Sequence, residues 1–148
     1  MIKINTYSQE NIATEEIKND IINFLFESLE QYGDPKDDIE KCMDYAFGKN
    51  NKPGGMVLSA IDSESQKIVG AVITNKTGMD GYIPANILVY IATDKDMRGK
   101  GVGKQLMQTA INLSDGDMAL HCEPDNPARF LYEKLGFSSK YLEMRLKK

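Results

Sequence analysis

Arg98-Gly99-Lys100-Gly101-Val102-Gly103 is the stretch of this chain whose residue types and spacing point most directly to chemistry. An apolar run, Ile87-Leu88-Val89-Tyr90-Ile91-Ala92, precedes it. Val102, Leu106, Ala110 and Leu113 follow at helical spacing, flanked by Met107 and Ile111. The pattern is strand, glycine-rich turn, helix. A helix N-terminus leaves backbone N–H groups without intrahelical acceptors and carries partial positive charge. Glycines let that backbone come close to an anion. A ligand bearing phosphates is the expectation.

Two phosphate-binding loops are excluded by position. A Walker A loop needs Gly-Lys followed by Ser or Thr, with an earlier Gly five residues before. Here Gly103-Lys104 is followed by Gln105, and Arg98 holds the earlier place. A dinucleotide loop needs a third glycine. That place holds Lys104 counted from Gly99, and Leu106 counted from Gly101. What remains is Arg-x-x-Gly-x-Gly, which resembles the pyrophosphate loop of the GNAT acetyltransferases. A second block, Asn126-Pro127-Ala128-Arg129-Phe130-Leu131-Tyr132-Glu133-Lys134-Leu135-Gly136-Phe137, is similar to the other hallmark of that family. The resemblance covers about residues 56–137; the first fifty residues match only in general pattern.

The resemblance implies acetyl-coenzyme A as acyl donor and an amine as acceptor. It implies that Arg98, Gly99, Lys100, Gly101, Val102, Gly103 and Lys104 form the pyrophosphate cradle. Arg98 suits bidentate phosphate contacts. Lys104 either adds charge or is a solvated helix residue, and Lys100 faces solvent or the nucleotide phosphate. The pantetheine arm is expected along the strand edge Ile91, Ala92, Thr93, which must then splay from the next strand, Ala119–Cys122. Asn126 matches a pantetheine-contacting asparagine, and it equally suits a helix cap followed by Pro127. Arg129 lies one turn before Tyr132, within reach of CoA phosphates or simply at the surface.

Tyr132 matches the family tyrosine that protonates the departing thiolate. A phenol suits that task in a water-poor cleft. As a plain core residue it would pack beside Phe130 and Leu135. His121 is the single histidine, the residue type suited to proton exchange at physiological pH. Its strand parity opposes Leu120 and Cys122, so it is the candidate general base, or else a structurally satisfied histidine; Glu123 ranks behind it. Acidic residues Glu27, Glu30, Asp34, Asp37, Asp38 and Glu40 border the expected acceptor side, as they would any solvated helix face. Tyr32, Tyr82 and Tyr141 are further candidates for the acceptor pocket.

The elements that must position these groups follow from periodicity. A strand is expected over 2–7, then a helix entered at Thr14 and ended by Gly33. Asp34 and Pro35 are expected to cap and open a second helix. Strands follow over 56–62, 67–75 and 86–93, then the helix after the glycine turn, a strand over 118–122, a short helix over 126–134 and a strand over 141–146. The order β-αα-βββ-α-β-α-β predicts a three-layer α/β fold with a mixed central sheet and two helices on each side.

At 148 residues the chain is expected to be one domain, 1–148, with a sizeable core. A net charge of −4 argues against non-specific nucleic-acid binding. No membrane-spanning run, signal segment or metal-ligand spacing stands out. Cys42 and Cys122 read as small core residues in a reduced, cytoplasmic protein. Only eleven residues follow Phe137, so one last strand fits and a homodimer would complete the wall. Three rivals stay open: a catalytically weak acyl-CoA-binding or sensing module, a structural protein whose turn binds no nucleotide, and transfer of a different acyl group such as succinyl.

Overall fold

The computed structural model describes residues 1–148. The chain runs β1 (Ile2–Tyr7), α1 (Glu15–Leu29), α2 (Lys36–Ala46), β2 (Gly55–Asp62), β3 (Ile68–Lys76), β4 (Asn86–Thr93), α3 (Val102–Leu113), β5 (Met118–Leu120) and α4 (Arg129–Lys134). The strands form one sheet in the order β1-β2-β3-β4-β5. Neighbours from β1 to β4 are antiparallel, and β5 lies parallel to β4. The α3 crossover makes that parallel pairing possible.

Helices α1 and α2 cover one face of the sheet, α3 and α4 the other, as the element order predicts. Ile21, Leu25, Ile39 and Met43 pack with Val57, Ala71 and Ile73 on the first face. Val102, Leu106, Met107 and Ala110 pack with Leu58, Ala60 and Val72 on the second. The alternation of Val57 and Leu58, and of Val72 and Ile73, is the period of a strand buried on both sides.

In β4 this alternation breaks. Ile73 pairs with Tyr90 while Thr74 pairs with Leu88, leaving Val89 as an extra residue. One inserted residue reverses which face the following side chains take. Leu88 therefore packs in the α3 layer, and Tyr90, two positions on, in the α1–α2 layer.

Local signals behave unevenly. Thr14 caps α1, its hydroxyl accepting from the Ile17 amide at 3.3 Å. The helix ends at Leu29, four residues short of Gly33, and residues 30–32 form a 3-10 turn. Asp34 does not cap α2. Pro35 occupies that position, and the Asp34 carboxylate instead accepts from the buried Tyr90 hydroxyl. The fifth strand stops at Leu120, placing His121 and Cys122 just past its end, and α4 begins at Arg129, three residues after Asn126.

The strand expected over 141–146 is not formed. Residues 138–148 are exposed and make no backbone hydrogen bonds. A period-2 pattern becomes a strand only when a neighbour completes its ladder, and no strand of this chain does so. No helix is long and apolar enough to cross a membrane.

Candidate active site

The site grows from the end of β4. Asp94 caps the short turn over Lys95–Met97, its carboxylate accepting from the Asp96 amide at 2.8 Å. The chain then turns through Gly99 (φ 80°) and Gly101 (φ 82°) into α3. Both lie in the left-handed region that side chains disfavour, so glycine is what the turn needs. Gln105 is the first amide of the helix to find a partner, the Gly101 carbonyl at 3.0 Å. The amides of Val102, Gly103 and Lys104 in the first turn have no intrahelical acceptor.

These amides open on a cavity of about 430 Å³. Arg98, Gly99, Gly101, Val102, Gly103 and Lys104 line it together with Thr93. Lys134 of α4 and Leu135 just past its end complete the far wall. The sequence reasoning missed Lys134, although it lies inside the second motif: a lysine in the last turn of a helix reads as surface until the fold turns it toward a phosphate-sized space. Lys100 does not line the cavity; its ammonium lies 4.0 Å from the Met97 sulfur. The Arg98 guanidinium stands 3.9 Å from the Glu30 carboxylate, with both side chains exposed.

Beside this cradle the sheet opens. The β4–β5 ladder contains only Asn86–Met118, Ile87–Ala119 and Leu88–Leu120. On its other side β4 stays paired with β3 through Thr93. The edge at Ile91, Ala92 and Thr93 that faces β5 is therefore free of a strand partner, which is the splay expected.

Tyr132 lies in α4 with 8% of its surface exposed. Its ring meets Phe137 edge to face, with centroids 6.2 Å apart. No protein group hydrogen-bonds its hydroxyl, and the residue is not among those lining the cavity. Burial, with the nearby Cys122 thiol adding to it, pushes the Tyr132 phenol up to about 12. Burial also raises the Cys122 thiol, so both groups are protonated at neutral pH. His121 is exposed, and no side chain orients its ring.

The Asn126 side-chain oxygen accepts from the Ala128 amide at 2.9 Å, a bond within the turn before α4; Asn126 does not cap the helix, whose N-cap position is held by Ala128. Arg129 points along its own helix, 3.4 Å from Glu133, and stays outside the cavity.

A helix N-terminus rich in glycine, beside an open strand edge and under a short helix carrying a buried tyrosine, defines the three-layer acyltransferase class that the two motifs resemble. The acetyltransferase (GNAT) domain family matches residues 53–139, and the chain belongs to that family. A search of curated proteins finds no match. Solved structures share the fold along the whole chain. The aminoglycoside N-acetyltransferase AAC(6')-Iy in complex with CoA is similar with a TM-score of 0.71 and 17% identity, over 100% of this chain and 95% of its own. A ribosomal-protein-alanine N-acetyltransferase from Brucella melitensis gives a TM-score of 0.64 at 17% identity, over 100% of both chains. The glucosamine-6-phosphate N-acetyltransferase of Arabidopsis thaliana gives 0.62 at 17% identity, over 99% of this chain and 98% of that one.

Proposed function

We propose that this protein is an N-acetyltransferase that moves the acetyl group of acetyl-CoA to a primary amine, of a small molecule or a peptide, by direct transfer in a ternary complex. One observation carries this. The free amides at the start of α3 open beside the edge where β4 loses its β5 partner.

The residues present fit a thioester that bears a pyrophosphate. The free amides of Val102, Gly103 and Lys104, with Arg98, Lys104 and Lys134 around the cavity, would hold the phosphates. The unpaired edge at Ile91, Ala92 and Thr93 would hold the pantetheine arm and supply an oxyanion donor. The Asn126 side-chain amide and Arg129 are further contacts on this reading. Bound acetyl-CoA supplies the activated acetyl group; its carbon–sulfur bond breaks as the bond to the amine nitrogen forms. Tyr132, kept protonated by burial, gives its phenolic proton to the departing sulfur. His121 takes the proton the amine sheds, directly or through water.

The acidic connector and α2 suit a cationic acceptor. Cys42 and Cys122 are both free thiols, in keeping with a cytoplasmic protein. A homodimer is the assembly proposed.

A catalytically weak acyl-CoA-binding module is the second reading, favoured by the exposed and unsupported His121. Calorimetric titration with acetyl-CoA, followed by thiol release over a panel of amines, separates the two. Micromolar binding with turnover supports the enzyme, and binding without turnover supports the module. No binding overturns both.

A further inference from the structure

A second cavity, of about 330 Å³, shares no residue with the first. It forms where the start of β4 meets the last turn of α3. Asn86, the first residue of β4, lines it, whereas Thr93, the last, lines the first cavity. An extended strand puts about 23 Å between those two residues. Met56, Met79 and Leu113 give the second cavity apolar walls. Thr74, Asn86, Ser114 and Asp115 give it polar ones.

Two of these side chains are enclosed yet lack a partner. Asn86 is 4% exposed. Its side-chain nitrogen donates to the Asp115 carbonyl at 2.6 Å and the Asp117 carbonyl at 3.3 Å. Those acceptors use both of its protons and fix which way the amide points. No protein group donates to its oxygen. Thr74 is 1% exposed, and its hydroxyl bonds no protein group. Asn75 Oδ1 is the one side-chain oxygen or nitrogen that is fully enclosed and unpartnered. The Thr74 and Asn86 oxygens are therefore open to accessible space, and the space both residues line is this cavity. A bare oxygen in so enclosed a place is costly unless a donor meets it.

The surroundings select the charge of that donor. Leu113 ends α3 and Ser114 caps it, so the negative end of the helix dipole faces the cavity. No basic residue in the last turn offsets it. The Ser114 hydroxyl gives its proton to the Ala110 carbonyl at 2.8 Å and can only accept from an occupant. The Asp115 carboxylate adds a full negative charge. Lys76 also lines the wall, with its head exposed. The Glu10 carboxyl is lowered first by the Ser8 hydroxyl and further by Lys76, so the Lys76 charge reaches toward Glu10. An anion would meet bare oxygens here. An alcohol brings one proton, and an ammonium brings three.

We propose that this cavity binds a small aliphatic ammonium ion, its NH3+ group held by Asn86 Oδ1, the Thr74 hydroxyl and the Asp115 carboxylate, its hydrocarbon stem against Met56, Met79 and Leu113. A volume at the small end of the range for ligand pockets suits a short linear amine. An amine bound here lies too far from the first cavity to accept an acyl group there. The site stands whether or not the protein is a transferase.

The test titrates the full chain with n-butylammonium chloride and follows the amide NMR spectrum, with n-butanol and potassium chloride as controls. The expected result is saturable shifts at Thr74, Asn86 and residues 113–115 with the ammonium alone. Thr74→Val removes the hydroxyl at nearly constant shape. Asp115→Asn removes the charge of an exposed side chain and leaves the fold intact, so it carries the test if the valine variant does not fold. Each should weaken binding about tenfold, the loss of one hydrogen bond to a charged group. Shifts confined to residues 91–93 would put the amine in the cleft alone, overturning this proposal and leaving the transferase reading intact. An equal response to n-butanol overturns it, as do silent amides at the second cavity or an affinity that Asp115→Asn leaves unchanged.

Discussion

The Tyr90 hydroxyl donates to the Asp34 carboxylate at 2.6 Å, tying the connector between α1 and α2 to the middle of the sheet. The extra residue at Val89 turns Tyr90 toward that connector. Two further contacts hold the connector across the splay: the Tyr32 hydroxyl on the Asp125 carbonyl at 3.4 Å, and Glu30 near Arg98. Those are exposed and contribute little. Burial, reinforced by Asp34, holds the Tyr90 phenol well above its ordinary value, so the tie keeps its proton through the working pH range.

Tyr90→Phe is expected to lower stability by about 1.5–3 kcal/mol, the usual contribution of a hydrogen bond to a charged acceptor. Asp34→Asn alone should cost less. Urea unfolding of both single variants and the double variant measures their coupling; strictly additive effects would show that the two groups do not act together.

Gly101 tests the cradle. Gly101→Ala is expected to cost about 1–2 kcal/mol in stability, because alanine is strained at φ 82°. Gly101→Glu should abolish acetyl-CoA binding by placing a carboxylate beside the first-turn amides. Gly81→Ala, at a comparable φ of 77° in open space, serves as control: it should lose stability and keep its affinity. Equal affinity in all variants would remove the phosphates from this loop.

Tyr132→Phe is expected to lower turnover about 100-fold while leaving acetyl-CoA affinity unchanged, the pattern of a lost general acid. The same residue predicts a stability effect. Its phenol moves from an ordinary 10.0 up to about 12 in the folded chain. The folded state thus holds the proton more tightly, so stability is full below pH 10 and falls as pH rises toward about 12. The loss assigned to Tyr132 is about 2 kcal/mol. Urea midpoints should fall less steeply over that range in Tyr132→Phe than in wild type. The buried Cys42 thiol, raised from 9.0 to about 12, adds a decline that this variant retains.

Lys18 clamps the first helix layer. It is 4% exposed, and its ammonium lies 2.8 Å from Asp44 and 3.4 Å from Glu40. Burial opposes its charge, but the hydrogen bond and attraction of Asp44, with Glu40, more than offset this and hold Lys18 above its ordinary value. Burial raises Asp44 as well, and its bonds from Lys18 and Lys49 reverse the direction, leaving it lowered. Asp44 therefore adds stability above pH 3.8 that is lost as pH falls through its lower folded value. Lys18→Ala should cost about 2 kcal/mol, below the usual loss for breaking a buried pair because Lys49 still reaches Asp44 at 3.1 Å. Melting curves at pH 7 and pH 3 check both statements; a variant as stable as wild type at pH 7 would make the clamp ornamental.

Local features are legible in the residues alone. The strand, glycine turn and helix from Ile87 to Leu113, the Thr14 cap and the two apolar faces of β2 and β3 follow from spacing and backbone preference, which act over a few residues. The glycine turn that opens α3 is also legible in the residues, with Lys100 the one member of its run that stays outside the cavity. The rest depends on which distant groups the fold makes neighbours. Asp34 reads as a cap until the buried hydroxyl of Tyr90, 56 residues away, takes its carboxylate. Val89 reads as one more alternating residue until the register of β3 leaves it unmatched. Residues 141–146 have the pattern of a strand yet form none, since a strand is made by the backbone beside it, and that backbone is not supplied within this chain.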